Sequence, residues 1–120
     1  MLLNFLHLCL YWALLCFPMV SANQHDQCYC KLNNVANKCL SAKACDIYRT
    51  SKQIFEDDPS KVNITLLYQS VCVAMSPDDH GRVWYVSGFG GNEFEQACFE
   101  AQTSGDCPEA EGGKIDSICR

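Results

Sequence analysis

The sequence predicts an α+β fold: a βαββαβ two-layer sandwich, with two helices covering one face of an antiparallel sheet and disulfides stapling the layers. Three observations carry that reading. Short alternating apolar stretches occur near both ends of the chain and in its middle, and two segments of helical spacing separate them. Eight cysteines are spread through these segments after residue 22.

Gln27–Leu32 (QCYCKL) alternates with the period of a strand, placing Cys28 and Cys30 on one face and Tyr29 on the other. Pointing the same way, the two cysteines are expected to reach different partners. Ser41–Ser51 reads as a helix capped by Ser41, with Ala44, Ile47, Tyr48 and Ser51 on its stripe and Cys45 beside it. Glu56–Ser60 (EDDPS) is a turn or loop. Val62–Met75 is strand-rich: Val62, Ile64 and Leu66 alternate, then Val71, Val73 and Met75. Pro77–Gly81 (PDDHG) supplies turn residues and Arg82–Ser87 (RVWYVS) returns, completing a hairpin. Gly88–Gly91 breaks the strand. Asn92 is expected to cap a second helix with Glu95 three residues on, and Phe94, Ala97, Cys98 and Ala101 form its buried stripe. Thr103–Gly105 ends that helix, and Lys114–Cys119 is an edge strand.

The compartment decides what the thiols do. Leu2–Val20 is almost wholly apolar, Pro18 interrupts it, and Val20-Ser21-Ala22 suits a signal peptidase. Residues 1–22 therefore read as a secretory signal, cleaved after Ala22, and residues 23–120 as a single disulfide-rich domain. Pro18 and the polar, cysteine-rich sequence after it argue against a membrane anchor. Cys9 and Cys16 leave with the signal; Cys28, Cys30, Cys39, Cys45, Cys72, Cys98, Cys107 and Cys119 remain. An even count in a short secreted chain implies a disulfide framework, whose pairing sequence alone does not choose. With one cysteine on each helix, Cys45 and Cys98 are expected to bond to other elements, with Cys28 and Cys30 as reasonable partners. The expected destination is secretion.

Other chemistries fit poorly. Cys28 and Cys30 stand closer than zinc ligands usually do, and His25 and His80 have no matching second pair, so no metal is expected. A net charge of −5 argues against nucleic acid as partner and against stable membrane insertion or disruption. Gly88-Phe-Gly-Gly91 precedes a helix, but Glu93 and Glu95 in its first turn would repel a phosphate; the glycines shape the turn. Asp78-Asp79-His80 brings adjacent carboxylates together where hydrolysis needs them on separate sides of a substrate. With the thiols in bridges, no nucleophile matches His80, so neither enzyme chemistry nor a cofactor is expected. Asn63-Ile64-Thr65 is a sequon, making Asn63 a candidate glycosylation site. Trp84 and Tyr85, neighbours on a strand, must face opposite ways. One of them, beside Tyr29, is a candidate anchor for a protein partner.

The signal peptide, the eight cysteines, the early Cys28-x-Cys30 and the late Gly91-Asn92-x-Phe94-x-x-x-Cys98 helix resemble small secreted effectors of plant-pathogenic fungi. The group most similar is the paired-effector family of blackleg-fungus avirulence proteins and Fusarium secreted-in-xylem proteins, and the βαββαβ order resembles the killer-toxin-like fold. The resemblance implies a non-enzymatic virulence or avirulence protein that promotes infection, is open to recognition by plant resistance proteins, and acts with a second secreted effector or on a host protein. It transfers no functional residue, since the matching positions are structural. A killer-toxin-like or antimicrobial protein is the alternative, disfavoured by low basicity; a small secreted hydrolase is the third.

Overall fold

A computed structural model describes residues 24–120; the expected leader lies outside the described residues. In chain order the strands are β1 Gln24–His25, β2 Gln27–Leu32, β3 Val35–Ala36, β4 Asn63–Leu67, β5 Val71–Pro77, β6 Val83–Tyr85, β7 Phe89–Gly90 and β8 Ile115–Cys119. The helices are α1 Lys38–Ser51 and α2 Gly91–Thr103. Four strands lie in the order β4-β5-β2-β8, each antiparallel to its neighbour. Short β3 and β6 extend the pairing of β2 and β5, while β1 and β7 form a separate ribbon. Along the chain the principal elements run β2-α1-β4-β5-α2-β8, the expected α+β arrangement.

Three local expectations need correction. Helix α1 starts one turn before Ser41: the Asn37 side chain accepts the Leu40 N–H at 2.9 Å, and buried Leu40 anchors the added turn. Ser41 lies inside the helix, where its buried hydroxyl donates to the Asn37 carbonyl and accepts the Cys30 N–H. Ser51, placed on the stripe by spacing, is exposed. Helix α2 has Gly90 at its N-cap with no side-chain cap bond, and Asn92 is exposed, so no capping box forms.

The third correction concerns the sheet. The run from Val62 to Met75 is itself a hairpin, β4 and β5, turning at Tyr68-Gln69. Both turn residues hold positive φ, 54° and 59°, where glycine or asparagine is usual. The segment expected as the full returning strand supplies only three-residue β6, paired with the far end of β5.

The core lies between the sheet and the helices. Leu40, Ala44, Cys45 and Tyr48 of α1 and Phe94, Ala97, Cys98 and Ala101 of α2 are fully buried, meeting Cys28, Cys30, Ile64, Cys72 and Ala74 from the sheet. At one end the rings of Tyr48, Phe89 and Phe94 pack with centroids 4.8–6.0 Å apart. The Tyr48 hydroxyl accepts the Gly90 N–H at 3.0 Å and donates to the Gln53 carbonyl at 2.5 Å. Burial pushes its pKa up to about 12, ahead of the opposing effect of the Gly90 N–H.

All eight cysteines of the described residues are paired. Cys28–Cys119 joins β2 to β8, Cys30–Cys98 joins β2 to α2, Cys39–Cys107 ties the start of α1 to the loop after α2, and Cys45–Cys72 joins α1 to β5. Cys28 and Cys30 do take different partners. Cys98 reaches Cys30 as expected; Cys45, one turn after Ser41, which meets Cys30 of β2, bonds Cys72 of β5 instead. Thiol titration of the denatured, unreduced, signal-free protein is expected to find no free thiol; two or more would contradict this pairing.

Candidate functional site

The site is the ribbon formed by the end of β5, the turn after it, and β6. In antiparallel pairing, residues directly opposite share a face. Met75 pairs with Tyr85 and with Asn63, so Asn63, Met75 and Tyr85 form one row on the face away from the helices. Trp84 pairs with Ser76 and points to the helix side, beyond the cover of the helices. Val83, Trp84 and Tyr85 are 59%, 56% and 51% exposed. Three consecutive large apolar side chains in solvent are costly unless something covers them.

Asp78 builds the ribbon. Its carboxylate accepts the backbone N–H groups of His80 and Arg82, each at 2.9 Å, and the Trp84 indole N–H at 2.9 Å. The Arg82 side chain pairs with it at 3.3 Å and stands 5.8 Å over the Trp84 ring. The Asp78 N–H donates to the Arg82 carbonyl, and Gly81 turns the chain at φ +80°. Trp84 is thus exposed yet held in one orientation, which lowers the entropy lost when a partner covers it. The indole hydrogen bond is the largest effect holding the Asp78 carboxyl below its ordinary range; burial opposes it next, and the Arg82 and His80 N–H groups and the Arg82 side chain reinforce it.

A pH dependence follows from that depressed value. The contribution of Asp78 is present above the ordinary carboxylate range and is lost as pH falls through the depressed folded value. Trp84 is the only tryptophan after residue 22, so its emission reports this change. We expect an acid transition in Trp84 emission centred below the ordinary carboxylate range, absent from Asp78→Asn. A midpoint at the ordinary value would show that the carboxylate is not held.

The structure separates the other candidates. Tyr29 shares the open face but pairs with Ile118, and lies toward the opposite end of β5 from Tyr85. Tyr29 lines a hollow of about 220 Å³ with Gln27, Val71, Ile118 and Arg120. It is therefore not beside the exposed aromatics, a correction to the expected patch. Asp79 and His80 are exposed, and Asp78 serves the turn. Larger hollows of about 410 and 310 Å³ are lined by Gln24, Gln53–Asp57 and by Asn37, Cys39, Cys107–Ala110. Neither lining pairs a nucleophile with a base. Among the described residues no cluster of three or more metal-ligating side chains forms, and no helix is long and apolar enough to cross a membrane. No family model, curated protein or solved structure matches the chain.

Sequence reasoning missed Val83 and the role of Asp78. It also missed Tyr68, 89% exposed at the tip of the β4–β5 turn. The Asp78–Trp84 bond had a legible signal: an aspartate opening a tight turn six residues before an indole. Tyr68 had none, since Tyr-Gln is no turn signature.

Proposed function

We propose that this protein is a secreted, non-enzymatic effector of a plant-pathogenic fungus that acts by docking another protein, first of all a second secreted protein of the same organism. The sequence features that resemble the paired-effector family support the biological setting. Four disulfides are compatible with an extracellular destination. The observation that carries the docking reading is the β6 ribbon, with a pinned, half-exposed Trp84 between exposed Val83 and Tyr85. Tryptophan is the commonest anchor of protein interfaces, and a pre-oriented one binds at lower entropic cost. The same ribbon would serve a host protein met outside the cell or after translocation into it.

Pairwise binding between the purified protein and co-secreted proteins of the same organism tests this. Trp84→Ala is expected to weaken the interaction by about 2 kcal/mol while thermal stability changes little, since the side chain lies outside the core. The toxin reading predicts that the purified protein alone inhibits microbial growth. Growth inhibition without a partner, together with no pairwise binding, would overturn the docking reading.

A further inference from the structure

We propose that Asn63 carries an N-linked oligosaccharide whose first sugars lie across Met75 and Tyr85, closing the open-face side of the β6 ribbon. Asn63 is exposed at the start of edge strand β4, two residues before Thr65, with Ile64 between them buried under the helices. The buried Ile64 fixes the strand, so Asn63 and Thr65 both project on the open face. The row Asn63–Met75–Tyr85 crosses three neighbouring strands. At the usual strand spacing, Asn63 and Tyr85 backbones lie about 10 Å apart, within reach of the first sugars of a chain attached to Asn63.

The attachment is a group transfer in the secretory pathway. The Asn63 Nδ2 attacks the anomeric carbon of a polyisoprenyl-pyrophosphate-linked oligosaccharide. A nitrogen–carbon bond forms, the carbon–oxygen bond to pyrophosphate breaks, the lipid pyrophosphate leaves, and the amide proton passes to a base of the transferase. The product meets two needs that the fold leaves open. The C–H face of a pyranose packs on an exposed aromatic ring, and Tyr85 offers one beside partly buried Met75. A bulky polar group on β4 also blunts its outer edge against pairing with other chains, adding to the Arg49 side chain, which already donates to the Ile64 carbonyl at 2.9 Å. If the docking reading holds, on which this consequence rests, the glycan leaves a partner the Trp84 side and the free edge of β6.

The full chain should be expressed in a eukaryotic secretory host and the secreted product weighed before and after peptide-N-glycosidase. An oligosaccharide mass is expected, removable by the enzyme and missing from both Asn63→Gln and Thr65→Ala. Met75 is the only methionine after residue 22, so a one-oxygen gain under dilute hydrogen peroxide reads that residue alone. Oxidation should run several-fold slower on the glycosylated protein than on the folded protein after enzymatic removal, which leaves an aspartate at position 63, and than on folded Asn63→Gln, which carries no new charge. A secreted chain without sugar overturns the site; equal oxidation rates overturn the coverage. Neither measurement involves a partner, so each can fail while the docking reading stands, and the reverse.

Discussion

Replacing Cys30 and Cys98 together by alanine is expected to cost about 4 kcal/mol from loop closure alone, with a further loss from the vacated core. A domain of this size has only about 5–15 kcal/mol to lose, so the variant should unfold near ambient temperature or fail to accumulate. The fold supplies an internal control. Cys39–Cys107 closes a loop of the same sequence separation, 68 residues, so restriction of the unfolded chain contributes equally. Its setting differs: Cys39 is exposed and only its partner Cys107 is buried, whereas Cys30 and Cys98 are both fully buried. Denaturant unfolding of the two double-alanine variants therefore isolates the packing of the second buried sulfur. The Cys30–Cys98 variant should be the less stable; equal losses would mean that this second sulfur adds no packing.

Tyr48→Ala should destabilise the domain by about 3–5 kcal/mol, because the ring is fully buried against Phe89 and Phe94 and its removal leaves a cavity. Tyr48→Phe keeps the ring but strips the buried Gly90 N–H of its acceptor, at a cost of about 1–3 kcal/mol. The hydroxyl also predicts an alkaline limb. Its pKa is raised from 10.0 to about 12 in the folded state, so the unfolded chain loses the proton first. Stability from this group is whole below pH 10 and declines as pH rises toward 12. Stability measured against pH should show a decline in that window that Tyr48→Phe removes. An unchanged alkaline slope in the variant would place its origin elsewhere.

The two layers were legible because their signals are local. The stripe Phe94-Ala97-Cys98-Ala101 needs only the helical period, and it is buried as spacing requires. The alternation of Gln27–Leu32 places Cys28 and Cys30 on one face with no knowledge of the partner strands. The split of Val62–Met75 into two strands was hidden, because the turn that makes it uses Tyr68 and Gln69 in a backbone region that neither residue favours. The pairing on either side, Leu67 with Val71 and Leu66 with Cys72, together with the Ser70 N–H bond to the Leu67 carbonyl at 3.1 Å, holds them there. The early start of α1 was hidden for a related reason. Ser41 looks like a cap by type, but the acceptor that stops the helix is Asn37, and burial of Leu40 decides between them.

The candidate site divides along the same line. Period alone required Trp84 and Tyr85 to face opposite ways, and the sequon marked Asn63 by type. The sequence by itself determined the α+β class, the strand and helix periods, and the number of cysteines available to staple them. The tertiary structure decided which cysteines meet, that both aromatics of β6 stay in solvent, and that Asn63, Met75 and Tyr85 form one row. The reason is physical: period fixes the face of a residue from its own neighbours in the chain. A pairing or a row depends on the register between strands far apart in sequence, which is set only when the whole core packs.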